Sequence, residues 1–303
     1  MTNTKDTWDV VIIGGSYAGL SAAMALGRSL RKVLVVDSGM PCNAQTPHSH
    51  NFLTQDGKTP FEISTTARQQ VAAYNTVQIL NDLVVKADKT AQGFDVALQS
   101  GTQVGAKKLI FATGIRDQLL NIPGFSSCWG ISVVHCPYCH GYEYHGKKTA
   151  ILANGEGAMH YALLVGHLTK QLQILTNGKP EFTEEQMAKL RKHNIPINDS
   201  AIIEIEHERG YLKNVIMSGG NKIQVDALYF RPPFKQHTDI PKLLGCEFTE
   251  HGYIKVDTFQ KTTVDGVYAC GDNSSMMRSV ANAVSTGNFA GASLNKELAM
   301  EQF

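Results

Sequence analysis

Two strand–glycine loop–helix–strand units, one beginning at Asp9 and the other at Thr149, flank a Cys-x-x-Cys pair at Cys136 and Cys139. Together they predict an α/β chain built from two Rossmann-like (three-layer ββα) nucleotide-binding domains. At 303 residues the chain is long enough for two domains of ordinary size. It is 43% hydrophobic and 18% charged, as globular proteins are, and a net charge of +1 gives no reason to expect nucleic acid or an acidic membrane surface. The polar start from Met1 to Trp8 has no signal-peptide core, and no apolar run is long enough to span a bilayer. Six cysteines at irregular spacing do not resemble a secreted disulfide framework, so the expectation is a cytoplasmic protein.

In the first unit Asp9 to Ile13 is a short buried strand, and Gly14-Gly15-Ser16-Tyr17-Ala18-Gly19 is the turn. Leu20 to Leu30 is a helical run, and Arg31 to Val36 is a second apolar strand ending at Asp37. This is a dinucleotide fingerprint in its proper context. Gly14 makes the tight turn, Gly19 allows close helix–strand packing, the helix N-terminus faces the pyrophosphate, and Asp37 can hold ribose hydroxyls. The middle glycine of the fingerprint, which lets the backbone approach the phosphates, is Ser16 here. Serine is small, and its hydroxyl can itself bond a phosphate oxygen. A glycine-rich turn alone is more often only a turn; the strand, helix, second strand and acid together make a nucleotide site.

Cys136-Pro137-Tyr138-Cys139-His140 is a minimal dithiol/disulfide redox unit, because two intervening residues let the sulfurs meet. Three other chemistries share the spacing. Attachment of a c-type haem would normally require export. A structural zinc would need a second paired ligand set, which Cys128 and the nearby histidines do not supply. An inert buried pair is disfavoured by the polar, turn-forming neighbourhood. His140, with an unperturbed pKa of about 6.5, suits proton transfer near neutrality; His135, Glu143 and His145 are weaker candidates for the same task or for positioning.

With these residues in view, the chain resembles the low-molecular-weight thioredoxin reductase family over essentially its whole length. The similarity is strongest to a branch with Cys-Pro-(Tyr/Phe)-Cys-His-Gly-(Tyr/Trp)-Glu, here Cys136 to Glu143, which includes dithiol oxidases of the gliotoxin and holomycin type. The resemblance implies a split FAD-binding domain, residues 1–116 and 245–303, with residues 117–244 an inserted NAD(P)H-binding-like domain that carries the Cys-x-x-Cys. It also implies that the Ala112-Thr113-Gly114 and Gly271-Asp272 turns return the chain to FAD. Asp272 would bond the ribityl/pyrophosphate region, and the helix from Arg278 to Leu298 would point its N-terminus at the flavin. Cys139 would then be the sulfur next to the flavin C4a and Cys136 the outer sulfur, with His140 standing where typical members carry aspartate. Asn43, His48, His50 and Asn51 belong to a polar loop that passes near the flavin in the family, and Arg278 stands where relatives hold the flavin edge. Cys42, Cys128 and Cys246 are expected as packing or surface thiols and Cys270 as a small buried residue.

Relatives bind NADPH through Gly-x-Gly-x-x-Ala after the strand Thr149–Leu152. Here that loop reads Ala153-Asn154-Gly155-Glu156-Gly157-Ala158, followed by a helix from His160 to Leu168. Aligned on Gly155 and Ala158, the first glycine has become Ala153; aligned on Gly155 and Gly157, His160 falls where a small residue is needed. Glu156 adds negative charge to a phosphate cradle, and the basic cluster expected after Leu175 for a 2′-phosphate is missing, Lys179 being the nearest cation. NAD(P)H use is thus uncertain. The electron partner is left between NAD(P)H, a ferredoxin-type protein and oxygen, and the substrate between a small-molecule dithiol and a thioredoxin-like protein. A flavin-bearing redox sensor is the reading from another class, and a homodimer is expected by resemblance. Phe182 to His193 predicts an amphipathic helix. Ala201–Glu208, Tyr211–Ser218 and Lys222–Val225 predict a three-strand antiparallel patch, and Arg231-Pro232-Pro233-Phe234 the start of a crossover.

Overall fold

The computed structural model describes residues 7–303; the polar segment before them lies outside the described residues. The first part of the chain runs β1 (Thr7–Ile13), α1 (Tyr17–Arg28), β2 (Val33–Asp37), α2 (Pro60–Ala72), β3 (Val77–Asn81), β4 (Val84–Thr90), β5 (Gly93–Leu98) and β6 (Gln103–Phe111). β1 and β2 read as continuous apolar runs because both faces of a parallel sheet are covered. They lie in the order β3-β2-β1-β6, all parallel. β5 alternates buried and partly exposed residues, the pattern of a one-sided antiparallel strand, and pairs with the first half of β6. The last three residues of β6 carry β17 (Val267–Ala269) in parallel, so this strand joins the antiparallel β4-β5 ribbon to the nucleotide-type sheet.

The chain leaves this sheet through β7 (Ile115–Asp117), then forms α3 (Phe125–Cys128), β8 (Val133–Val134), α4 (Pro137–His140), β9 (Thr149–Leu152), α5 (Gly155–Leu168), β10 (Leu172–Leu175), α6 (Glu184–Lys192) and β11 (Ile197–Asn198). β12 (Ile202–Glu208), β13 (Tyr211–Met217), β14 (Lys222–Gln224) and β15 (Ala227–Tyr229) follow. The second sheet is wholly parallel, β11-β10-β9-β15-β8. β12, β13 and β14 form the expected antiparallel patch; Arg209 and Gly210 both take positive φ in its first turn, as a tight hairpin requires. β16 (Phe234–Gln236) begins at the end of the Arg-Pro-Pro-Phe segment and pairs with β7, so the outgoing and returning strands form one ribbon. α7 (Ile240–Leu243), β17 and α8 (Val280–Gln302) complete the chain.

Helix boundaries differ from expectation where small or capping residues decide them. α1 starts at Tyr17 rather than Leu20, because Ala18 and Gly19 are already helical and buried. α5 starts at Gly155 rather than His160, capped by Asn154; α8 starts after Arg278, capped by Ser279, and runs past Leu298. α6 matches its amphipathic pattern and has a Thr183–Gln186 capping box.

α8 lies unusually close to α1. A Cβ on Gly287 would come within 2.1 Å of the Ala18 carbonyl oxygen, and one on Gly291 within 2.6 Å of that of Ala22. The Ser21 hydroxyl donates to the Val284 carbonyl across the same seam at 2.7 Å. The far end of α8 is fixed by charge. Lys108, buried on β6, bonds Glu297 at 2.6 Å and also Glu301; Glu297 in addition accepts from Lys261 at 2.9 Å and from the Tyr268 hydroxyl at 2.8 Å. Burial pushes the Glu297 carboxyl up, but these donors outweigh it and hold it at about 2. The carboxylate therefore contributes stability above the ordinary glutamate range, and loses it as pH falls toward its folded value. Glu297→Ala leaves Lys108 with only its half-exposed partner and is expected to cost roughly 3 kcal/mol in urea unfolding at pH 7, a difference that shrinks below pH 4.

Candidate active site

The first nucleotide loop is built for close approach. Gly14 has φ +105°, and a Cβ there would meet the Ala112 carbonyl oxygen at 2.3 Å; one on Gly19 would meet the Gly14 carbonyl oxygen at 1.9 Å. Strand ends β1 and β6 and the first turn of α1 can therefore touch only as glycines. Gly15 lies against Asp37 and donates its N–H to Asp37 Oδ1 at 3.1 Å, while Asp37 Oδ2 pairs with Arg68 of α2. Ser16 is the N-cap residue of α1, yet its side chain makes no capping bond. Among the described residues, α2, α5, α6 and α8 all have side-chain caps, so α1 is the one helix of eight residues or more whose first turn is left without one. Its free N–H groups and dipole suit an anionic ligand, and the residues present fit a dinucleotide.

Two returning turns border the same end of the sheet. Gly114 takes φ +64° and Gly271 φ +81°; the Gly271 N–H is held by the Thr286 hydroxyl of α8 at 3.0 Å. Buried Asn273 ties the turns together, donating to the Phe111 carbonyl at 2.8 Å and to the Thr113 hydroxyl at 3.2 Å. Arg278 forms a two-pronged bond with Asp117 at 2.9 and 2.8 Å, and its Nε, which has no hydrogen-bond partner, lies 3.6 Å from Asp272. Its terminal nitrogens are thus engaged in joining α8 to the crossover strand β7. Burial raises the Asp272 carboxyl to about 6; Arg278 pulls the other way and Asp117 adds to the rise. Cys42 is exposed, yet desolvation and then Asp272 push its thiol up to about 11, so it is protonated at neutral pH. Asn43 donates to the Tyr17 hydroxyl at 3.3 Å on the same loop.

The second loop is organised differently. Asn154 Oδ1 accepts from Gly155 N–H at 3.0 Å and from Glu181 N–H at 2.8 Å, and its amide donates to the Lys179 carbonyl at 2.8 Å. Segment 179–181 is thereby fastened to the start of α5. Glu156 sits in the first turn and accepts from Gln186 of α6 at 2.5 Å. This helix N-terminus has its own cap and its own anion.

Cys136 and Cys139 form a disulfide, with Cα atoms 5.2 Å apart, at the half-exposed start of the short helix α4. Pro137 fixes the first helical position, and Cys139 N–H donates to Cys136 Sγ at 3.1 Å. Gly141 is needed for space, since a Cβ would lie 2.2 Å from the Pro137 carbonyl and 2.5 Å from Leu168. Tyr138 and Tyr142 stand exposed on either side. His140 departs from the expectation of near-neutral titration: burial, then the charge of His50, lowers it to about 4, so at pH 7 it is a neutral proton acceptor. His135 stacks on Trp129 and is lowered to about 3, chiefly by burial. His145 bonds only the nearby Tyr142 carbonyl, at 2.6 Å. The polar loop reaches the disulfide segment through His50, whose Nε2 lies 3.4 Å from Glu143. Asn51 takes the left-handed φ of 59° and gives its N–H to Asp56 at 2.7 Å, shaping the turn that presents His50. His48 bonds the Gly57 carbonyl at 2.9 Å.

Sequence reasoning missed Arg68, Asp117, Asn273 and Thr286. Asn273 follows the Gly-Asp turn directly and could have been suspected from that place; nothing local marks the other three. No group of three or more His, Cys, Asp or Glu among the described residues could hold a metal ion.

The model of the family described as pyridine nucleotide-disulphide oxidoreductase matches residues 8–287. The chain is 35% identical to the thioredoxin reductase tcpT of Claviceps purpurea, over 98% of this chain and 96% of that protein. It is 32% identical to the thioredoxin reductase sirT of Leptosphaeria maculans, over 97% and 95%. Among solved structures, an oxidoreductase from Agrobacterium tumefaciens is 38% identical and superimposes with a TM-score of 0.90 over 97% of this chain and 99% of that one.

The raised carboxyl of Asp272 has a measurable consequence. Its folded pKa lies above the unfolded one, so its ionisation removes stability from the cofactor-free protein as pH climbs from about 4 to about 6. Asp272→Asn is expected to unfold at higher denaturant than wild type at pH 7, by on the order of 2 kcal/mol, with the two converging at pH 4.

Proposed function

The chain belongs to the pyridine nucleotide-disulphide oxidoreductase family and is a flavin-dependent, thioredoxin reductase-like disulfide oxidoreductase; from that footing we propose that it oxidises a small-molecule dithiol through Cys136–Cys139 without ordinary use of NADPH. The observation that carries this reading is the contrast between its two nucleotide loops. The N-terminus of α1 is uncapped and lined by glycines that allow close approach. The N-terminus of α5 is closed by Asn154 and the 179–181 segment, and it presents Glu156 where a second set of phosphates would bring more negative charge.

Gly14, Gly15, Ser16, Ala18 and Gly19 would hold the FAD pyrophosphate, Asp37 the ribose, and Thr113, Gly114, Gly271 and Asp272 the central part of the cofactor. Asn43, Asn51 and Arg278 are assigned to the surrounding wall. The assignment keeps residues 1–116 and 245–303 as the FAD-binding part and 117–244 as the part carrying the disulfide. FAD held there would supply an acceptor for two electrons, with oxygen or a separate protein as the candidate onward acceptor. A substrate thiolate attacks Cys136 Sγ, the S–S bond breaks, and Cys139 departs with the electron pair. The second substrate thiolate then attacks the substrate sulfur joined to Cys136, closing the substrate disulfide and freeing Cys136. Two protons leave the dithiol, and His140, neutral and next to Cys139 in the chain, is the group we assign to take each.

The names of the two fungal relatives favour a second reading, in which a thioredoxin-like protein is the disulfide partner and electrons run outward from a donor such as a ferredoxin-type protein or NAD(P)H. The exposed Tyr138 and Tyr142 suit a partner surface as well as a small apolar substrate. A homodimer is the assembly we expect in either case.

Cys136→Ser and Cys139→Ser separate these redox readings from a flavin-bearing sensor. Both variants are expected to retain the yellow cofactor and to lose dithiol turnover down to the rate of free flavin. Full turnover in both would contradict the disulfide mechanism. Wild-type protein that binds FAD but turns over no dithiol or protein disulfide would favour the sensor.

A further inference from the structure

The part of the chain that carries the disulfide is joined to the first nucleotide-binding part through the β7–β16 ribbon, which is three residue pairs long. A ribbon that short does not fix two bodies by itself, and relative motion is expected unless a further contact holds them. The polar loop supplies such a contact. Two successive turns stiffen its first half, Ala44 N–H donating to the Pro41 carbonyl at 3.2 Å and Thr46 N–H to the Asn43 carbonyl at 3.0 Å. At the root of the loop Asn43 donates to the Tyr17 hydroxyl, which donates in turn to the Pro60 carbonyl, each at 3.3 Å. Tyr17 is buried in the first turn of α1, directly after Ser16 of the glycine loop.

Further along, the loop meets the disulfide segment on both sides of the sulfurs. Upstream of Cys136, the Gln45 amide donates to the Trp129 carbonyl. Gly130 lies so close that a Cβ there would stand 3.1 Å from Thr46 Oγ1 and 3.5 Å from Gln45 Cγ. Downstream of Cys139, His50 Nε2 faces Glu143 Oε1 at 3.4 Å. The upstream stretch is itself rigid. The Trp129 indole stacks on His135 with ring centroids 5.8 Å apart, and Gly130 N–H donates to the Val133 carbonyl at 2.8 Å. The His135 carbonyl accepts from the Tyr161 hydroxyl at 2.7 Å. His135 directly precedes Cys136, so a displacement at Trp129 is carried to the sulfur pair.

We propose that the polar loop is a clamp, with Gln45 as its positioning residue, that holds the disulfide against the first nucleotide-binding part throughout turnover. This rests on the reading that Cys136–Cys139 oxidises a dithiol. Opening of the disulfide by a substrate thiolate needs only access to Cys136. Re-closing it is more demanding: the two thiols lose two protons and their two electrons pass to FAD, a transfer that requires the sulfurs to be held in register with the first nucleotide loop. Small misplacements slow such steps steeply. Gln45 acts through Trp129 and His135 and does not itself exchange with the substrate.

The test mixes FAD-loaded protein anaerobically with dithiothreitol. Disulfide opening is followed by rapid quenching and alkylation, and flavin bleaching by absorbance. Gln45→Met keeps the length of the side chain and removes its donor. It is expected to open at the wild-type rate but to bleach at least about tenfold more slowly, so that thiols accumulate while the flavin is still yellow. Unslowed bleaching, or opening and bleaching slowed alike, would overturn the clamp. A covalent stand-in supplies the converse. In Cys42→Ser/Thr46→Cys/Gly130→Cys the two introduced thiols are bridged with dibromobimane, whose thioethers dithiothreitol does not cleave; Cys136 and Cys139 are protected as a disulfide, and Cys128, Cys246 and Cys270 are buried. The bridge is expected to leave bleaching at its unbridged rate and to restore it when Gln45→Met is added. A bridge that stops bleaching, or fails to restore it, would mean that the clamp is not what sets the rate. The bridging reaction needs no turnover: it is expected to slow when Gln45→Met is added, and an unchanged rate would also overturn the clamp. Wild-type flavin that dithiothreitol cannot reduce would sink the disulfide reading instead, leaving the bridging rate to judge the clamp by itself. Should Gly130→Cys fail to fold, because Gly130 takes φ +74°, the Gln45→Met comparison decides alone.

Discussion

The close seam between α1 and α8 is the constraint on which the rest of the site depends. Gly287 and Gly291 let the backbone of α8 come down onto Ala18 and Ala22, where any side chain would collide with a carbonyl oxygen. That approach sets Gly271 against Ala18 and brings the returning turn beside the first glycine loop. Asn273 then stitches the turn to the end of β6, and Arg278 stitches the start of α8 to β7. Loosening the seam would separate the first glycine loop from the returning turn at Gly271. The ion network around Glu297 secures the other end of the same helix.

Charge is distributed across the molecule in a way that matches two unequal nucleotide loops. At α1 the helix dipole is left uncompensated, and the nearest carboxylate, Asp37, is held aside by Gly15 and Arg68. At α5 the dipole is already answered by Glu156, and the cap residue is spent on the chain's own backbone. The second βαβ unit does not depend on a ligand for its fold, because β9, β10 and α5 are held by apolar burial. The same reasoning explains the electrostatic tension at Asp272. A buried carboxylate with one distant guanidinium is costly by itself, and hydroxyl donors from a bound cofactor would relieve it.

Much of this was legible in the sequence, because it is local. The apolar runs of β1 and β2, the hairpin turn at Arg209-Gly210 and the capped helix α6 each declare themselves within a dozen residues. The Cys-x-x-Cys motif also fixed its own geometry, since Pro137 and the Cys139 N–H settle the turn. What could not be read is whatever depends on distant segments meeting. Nothing near His50 marks it as the partner of Glu143, and nothing near Arg68 or Asp117 shows that each joins two elements. The lowered pKa of His140 is likewise invisible in the sequence, because burial and His50 act only once the fold has formed. The early start of α5 has the same origin, since Asn154, which caps the helix through the Gly155 N–H, is itself held by residues 179–181.

On the proposed route electrons enter through the disulfide and not through the second nucleotide loop. The direct measurement is anaerobic mixing of the purified yellow protein with NADPH, then NADH, then a small dithiol, while the flavin absorbance is followed. The flavin is expected to stay oxidised with both nucleotides and to bleach with the dithiol. Rapid bleaching by either nucleotide would contradict it, and would mean that the Asn154 cap opens to admit a pyridine nucleotide.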